Sequence, residues 1–162
     1  MNHIKTWRYA LISICVVALD QAAKFWAKTS LAGHPVVLIP NFLALTYNTN
    51  QGAAFGIMQK QWVIFIGLNL AFFFLVWKYY HSIPKRPFIL SGLFLALGGA
   101  CGNLIDRIFF KAVTDFICFS FWPVFNVADS SIVIGLFMLC WGLWRHDQNG
   151  RKLPGTDWRR PD

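Results

Sequence analysis

The chain has 162 residues, of which 56% are hydrophobic, 17% aromatic and only 14% charged, with a mean hydropathy of +0.47 and a net charge of +8. A soluble domain carries about a quarter charged residues, so this is the composition of a membrane protein, and the length is that of one domain. The positive charge does not mark a nucleic-acid binder, because the basic residues gather at the ends of apolar segments, where they orient membrane proteins.

Four apolar stretches approach the roughly 20 residues needed to cross a bilayer core. The first runs from about Tyr9 to Trp26 and is interrupted by Asp20 and Lys24. A cleaved signal peptide would also place basic residues (Lys5, Arg8) ahead of an apolar core, but no convincing small-x-small cleavage site follows, and Asp20 fits poorly there. In the connection Ala27–Gln61, Val36–Ile39 and Phe42–Tyr47 are β-rich and are separated by the turn signal Pro40-Asn41. This pattern predicts a small sheet at the outer membrane surface. Next comes a run of small residues, Asn50-Gln51-Gly52-Ala53-Ala54-Phe55-Gly56, whose Gly52 and Gly56 allow close backbone approach.

The second stretch is Trp62–Tyr80, and the third is Phe88–Ile105 with Gly98-Gly99 as a close-packing point. The fourth runs from about Val124 to Trp144, with Asp129 in its second turn. Trp7, Trp26, Trp62, Tyr79, Tyr80, Trp122 and Trp144 lie at the ends of these stretches, as an aromatic belt should. From about residue 146 a basic tail rich in Arg, Pro and Gly is expected to be disordered. Residues 1–162 thus read as one integral-membrane domain: an all-α membrane protein of four transmembrane helices, with a small extracytoplasmic β-sheet between helices 1 and 2.

Four spans put both termini on one side, together with ten basic residues (Lys5, Arg8, Lys78, Lys85, Arg86, Arg145, Arg151, Lys152, Arg159 and Arg160) against four opposite (Lys28, Lys60, Arg107 and Lys111). The positive-inside rule makes the termini cytoplasmic, so the connections Ala27–Gln61 and Asp106–Pro123 face outward.

The chain contains no Glu and seven Asp, four of which (Asp20, Asp106, Asp115 and Asp129) lie in or beside apolar segments. An acid at the centre of a membrane helix costs about 2.5–3.5 kcal/mol on insertion scales, and such residues usually face a polar cavity and act there. Asp115 and Asp129 fall at a similar depth near the outer face. Brought close, two carboxylates share a proton, and such a pair can activate water and polarise a scissile carbonyl. Spacing alone leaves open a second reading, in which each Asp is separately paired with a cation or caps a helix. Asp20 and Lys24 share a helix face and read as an i,i+4 ion pair. Arg107, after Gly102-Asn103 and Asp106, can hold a carboxylate, a phosphate head group or a carbonyl, or can snorkel to the interface.

The four His (His3, His34, His81, His146) lie outside the apolar runs without HExxH spacing, and the four Cys (Cys15, Cys101, Cys118, Cys140) form no CxxC. No metal site, disulfide framework or Ser-His-Asp arrangement follows from them.

Five segments in order resemble the lipoprotein signal peptidase family, also called signal peptidase II: Asp20-Gln21-Ala22-Ala23-Lys24, Asn50–Gly56, Gly102-Asn103-Leu104-Ile105-Asp106-Arg107, Val113-Thr114-Asp115-Phe116 and Phe125-Asn126-Val127-Ala128-Asp129-Ser130. Departures from the family pattern, such as Ala22-Ala23, Gln51 and the aromatic Cys118–Phe121, leave the acid pair untouched. The resemblance implies a multi-pass inner-membrane aspartic endopeptidase that cleaves diacylglyceryl-modified prolipoproteins just before the lipidated Cys. It implies Asp115 and Asp129 as the catalytic pair, and Asn50, Gly52, Asn103, Arg107 and Asn126 as supporting or substrate-binding residues. Asp20, Lys24 and Asp106 would be structural. No metal or cofactor is implied, and the expected partners are prolipoproteins and membrane lipids, not nucleic acid, with the enzyme a monomer.

Two other classes compete. A small proton-coupled transporter would relay protons through intramembrane Asp residues, but it predicts a repeat across the two halves, and the sequence shows none. A purely structural subunit leaves the clustering of carboxylates unexplained. A cation beside the pair would favour double ionisation, so Arg107 is expected to point away from it, toward Asp106, a backbone carbonyl or a head group.

Overall fold

The computed structural model describes residues 7–52 and 61–150. Four helices form a bundle: α1 (Trp7–Ser30), α2 (Trp62–Tyr79), α3 (Pro87–Phe110) and α4 (Val127–Gly150). At 1.5 Å per residue, 24-residue helices are about 36 Å long and the 18-residue α2 about 27 Å, which matches a hydrocarbon core of about 30 Å. All four are long and apolar enough to cross a membrane.

α3 is the central helix. It buries Ile89, Leu90, Leu93, Ala96 and Ala100 between α1 and α4, whereas α2 buries no residue at all and offers its apolar surface to lipid. The Gly98-Gly99 pair works as its composition predicts. A Cβ on Gly98 would stand 2.9 Å from Ser13 Cα of α1, and one on Gly99 would strike the Ala128 carbonyl oxygen of α4. Ser13 adds a hydrogen bond from its hydroxyl to the Phe94 carbonyl, 2.6 Å.

Between α1 and α2 lie β1 (Val36–Ile39) and β2 (Leu43–Asn50), paired antiparallel, with Asn41 at φ 57° in the turn. A third strand, β3 (Val113–Phe119), arrives from the α3–α4 connection and completes a sheet of order β1-β2-β3. That strand is not among the elements expected from sequence. Its β-branched and aromatic residues suit a strand, but its ladder partner is β2, more than 60 residues away, and only a single bridge joins Ile117 to nearby Phe125. The sheet sits on the end of α1, where Phe116 packs against Ala27 and Leu31. All four β1 side chains are exposed and apolar, a surface suited to lipid or an apolar chain rather than to water.

Helix limits differ from the expected spans in ways that move functional residues. α3 continues through Ile108-Phe109-Phe110 to a left-handed cap at Lys111 (φ 57°), whose N–H bonds the Arg107 carbonyl, 3.1 Å. Asp106 and Arg107 are therefore helical, not part of an outward connection. α4 begins at Val127, which puts Asp129 in its first turn, not its second. α4 also runs to Gly150, so the first residues of the expected tail are helical; the rest of it, from 151, lies outside the described residues. So does the 53–56 part of the small-residue run.

Candidate active site

The site is built on a buried ionic base between α1 and α3. The i,i+4 spacing of Asp20 and Lys24 yields the expected ion pair at 2.7 Å, and Lys24 also reaches Asp106 at 3.1 Å and donates to Asn103 Oδ1 at 3.0 Å. Asp20, Lys24 and Asp106 are 0%, 4% and 2% exposed, so one ammonium is shared by two acids away from water. Neutral donors satisfy the remaining lone pairs, as burial of charge requires. Gln21 Nε2 bonds Asp20 and Asp106, the Thr114 N–H bonds Asp106 at 3.0 Å, and the Ala128 N–H bonds Asp20 at 2.9 Å. Asp20 of α1 thereby satisfies a first-turn amide of α4. Gly102 makes room for it: a Cβ there would stand 2.6 Å from Asp20 Oδ2.

Above this base lie the two acids. Asp115 is on β3, and its register partner on β2 is Asn48. Asn50, two residues on, shares that face diagonally and donates from Nδ2 to Asp115 Oδ2 at 3.0 Å. Its own Oδ1 accepts the Gly52 N–H at 3.0 Å, which fixes the amide's orientation. Asp129 belongs to a reciprocal cap of α4. Asn126 Oδ1 accepts the Asp129 N–H at 2.9 Å, while Asp129 Oδ2 accepts the Asn126 N–H at 3.2 Å.

Asn126 is the hinge of the constellation. With Oδ1 committed to Asp129, its Nδ2 points to Asp115 Oδ1 at 2.7 Å and lies near the Thr114 carbonyl and Asn103 Oδ1. Asn103 is fixed in the same way. Its Oδ1 faces Lys24, so its Nδ2 donates to Asp129 Oδ1 at 2.7 Å. Both carboxylates thus receive amide donors and are tied together through Asn126.

Asp115 is 4% exposed, and its carboxyl is pushed up to about 6. Burial is the main cause and the charge of Asp129 the second; the hydrogen bonds from Asn50 and Asn126 and the charge of Lys24 oppose them. Asp129 is only half-buried and stands where the first-turn N–H groups of α4 favour negative charge.

Among the described residues no cation is in ion-pair distance of either acid. Arg107 donates to the Asn103 carbonyl at 3.4 Å and lies over the Phe65 ring at 5.1 Å; a backbone carbonyl was among its expected partners, but it stays within electrostatic reach of Asp129 and Asp115 rather than turned clear of them. Asn103 and Asn126 are both buried. Every acid, amide and cation singled out from the sequence falls within this assembly, with Arg107 at its edge. Two contributors were not singled out. Gln21 lies in a quoted motif beside Asp20, and Thr114 acts through its backbone, which no residue type announces. Gln21, Lys24, Asp106 and Thr114 also line a cavity of about 340 Å³ with Tyr47 and Thr49 of β2.

Two acids held by neutral amides, one with its carboxyl pushed up to about 6, lie together at one end of four membrane-length helices, an arrangement chemically able to share a proton. The family model described as signal peptidase (SPase) II matches residues 12–145. A lipoprotein signal peptidase of Moorella thermoacetica is 39% identical over 137 residues, covering 83% of this chain and 91% of its own length. One of Coxiella burnetii is 39% identical over 145 residues, covering 83% and 88%. A bacterial membrane enzyme solved by the in meso method at 2.3 Å superposes with a TM-score of 0.78 at 30% identity, over 91% of this chain and 93% of the other. The chain belongs to the signal peptidase II family and is an aspartic endopeptidase.

Proposed function

We propose that Asp115 and Asp129 are the catalytic pair, and that the protein hydrolyses diacylglyceryl-modified prolipoproteins at the bond before the lipidated Cys, on the extracytoplasmic side of the inner membrane. The observation that carries this reading is the link through Asn126, which holds Asp115 Oδ1 by its Nδ2 and Asp129 by both its Oδ1 and its N–H. In this reading Asp115, the deeper of the two, carries the shared proton and Asp129 acts as the base.

In the first step Asp129 takes a proton from water as the water oxygen attacks the scissile carbonyl carbon, and Asp115 gives its proton to the carbonyl oxygen. The tetrahedral diol then collapses. Asp115 recovers a proton from a diol hydroxyl, the C–N bond breaks, and Asp129 passes its proton to the departing amine of the Cys. No step needs a metal or cofactor. Asn50 and Gly52 border the pair on the sheet side and position the extended peptide, and the exposed apolar surface of β1 suits the signal helix or the lipid chains. Family membership sets aside the transporter alternative.

The test is cleavage of a lipid-modified lipobox peptide by the purified protein. Asp115→Asn and Asp129→Asn are each expected to lower turnover by several orders of magnitude with the fold intact, and the double variant to be little worse than either alone, because the two act as a unit. Full activity in either single variant overturns the assignment.

A further inference from the structure

A second concave site lies at the membrane face opposite the carboxylate pair. It is a cavity of about 260 Å³ lined by Arg86, Phe88 and Ile89 at the start of α3 and by Trp141, Gly142, Arg145 and His146 near the end of α4. Ile89 is 14 positions before Asn103 on the same helix, so the two sites are about 21 Å apart along α3 at 1.5 Å per residue. The cavity therefore takes no part in the chemistry above.

Its construction is selective. Gly142 lets α4 close on α3 here, since a Cβ would stand 2.6 Å from Ile89 Cγ1, and the resulting floor is apolar and aromatic. Two guanidinium groups and an imidazole line it, with no carboxylate. Among the described residues neither Arg86 nor Arg145 is in ion-pair distance of an acid. The Arg fork matches the geometry of phosphate oxygens and stays charged at any working pH. The volume falls below the roughly 300–1,000 Å³ of sites that enclose a drug-sized ligand, which suits a head group whose chains remain outside. Beside the cavity, α4 offers a ladder of exposed aromatics: Phe137 stacks on Trp141 at 6.2 Å, and Trp141 meets Trp144 at 5.1 Å.

We propose that this cavity binds the phosphodiester of an anionic glycerophospholipid, with Arg86 and Arg145 on the phosphate, Trp141 and Phe88 against the glycerol, and the acyl chains along the Phe137–Trp144 face of α4. Basic pockets between transmembrane helices recognise acidic head groups in this way. A zwitterionic lipid is disfavoured because its ammonium would sit among like charges. The bound lipid ties the start of α3 to α4 and stabilises the bundle by linkage, whichever residues carry catalysis.

The full chain, purified in non-ionic detergent, is titrated with a short-chain phosphatidylglycerol, with the phosphatidylcholine of the same chains, and with inorganic phosphate. Melting temperature and lipid retention in native mass spectra are read. Phosphatidylglycerol is expected to raise the melting temperature by several degrees and to be retained one per chain, while the other two, at equal concentration, do neither. Arg86→Gln with Arg145→Gln should weaken phosphatidylglycerol at least tenfold, and Lys28→Gln with Lys78→Gln, which removes the same charge elsewhere, should leave it unchanged. If the first pair does not fold, each single variant is expected to lose part of the shift. An undiminished shift in the Arg variants, an equal shift with phosphatidylcholine, or an equal shift with inorganic phosphate overturns the proposal.

Discussion

Among the described residues Lys24 is the one cation ion-paired inside the network, held by Asp20 at 2.7 Å, Asp106 at 3.1 Å and Asn103 at 3.0 Å. Removing one partner of a buried ion pair costs about 3–5 kcal/mol, because the other charge is left uncompensated. Lys24→Met is therefore expected to lower the melting temperature markedly. It should also cut turnover, since Asn103 then loses the partner that turns its Nδ2 toward Asp129; a variant with wild-type stability and rate would show that the ion pair is incidental. Asp115 supplies a second prediction at this scale. It ionises near 6 in the folded protein and near 3.8 in the unfolded chain. Between those values the unfolded chain has released the proton and the folded one has not, so the unfolded state binds fewer protons and stability falls as pH rises from about 4 to about 6. Across that window the wild type should lose melting temperature relative to Asp115→Asn, whose amide does not titrate; parallel curves would show that Asp115 is not proton-bearing. The acids themselves were legible in the sequence because an unpaired charge in an apolar run is costly. The Asp20–Lys24 pair was legible too, from its i,i+4 spacing, but the long-range partners were not: the Asp20–Ala128 bond joins residues 108 apart, and no local pattern encodes it.

At the scale of elements, glycine placement decides how closely α4 approaches α3 and hence where Asp129 stands. Gly99→Ala would drive a methyl into the Ala128 carbonyl, one residue before Asp129, and Gly102→Ala would press on Asp20. Overpacking of this kind costs about 1–3 kcal/mol. Both variants are expected to lose activity beyond their loss of stability, because the strain displaces the acid pair or its base. Gly67→Ala on the lipid-facing α2, with nothing within 4 Å of its Cβ, should keep activity and gain about 0.5–1 kcal/mol of helix stability. Equal activity in all three would mean that α4 is free to shift without consequence. The Gly98-Gly99 pair was readable as a packing point from small residues in an apolar run, and the β1–β2 hairpin from its turn. β3 was not, because its ladder to β2 joins residues more than 60 apart, and its local pairing is a single bridge from Ile117 to Phe125 rather than a hairpin. The extension of α3 was hidden for a different reason: Asp106-Arg107 looks like a span end, yet Ile108, Phe109 and Phe110 carry the helix on, with side chains 55–74% exposed toward lipid.

For the whole molecule, the sheet, the acid pair and the C-terminal end of α3 share one end of the bundle, while the start of α1, the 81–86 turn and the end of α4 share the other. The described basic residues follow this division. Arg8, Lys78, Lys85, Arg86 and Arg145 lie at the far end; at the site end Lys28 and Lys111 lie over the rings of Phe110 and Trp62 at 5.4 and 5.6 Å, and Arg107 lies over Phe65. Over the full sequence the balance is ten to four, and loops richer in Lys and Arg stay cytoplasmic. The pair would then face the compartment into which lipoproteins are exported, close enough to the surface for water to reach the half-buried Asp129. Two reporters active only in the cytoplasm test this, one fused after Arg160 and one inserted near Gly33, an exposed turn with φ 78°. The first is expected to be active and the second silent. The reverse pattern would place Asp115 and Asp129 on the cytoplasmic side, where an exported prolipoprotein is out of reach, and the proposed substrate would have to be abandoned even if both acids proved catalytic.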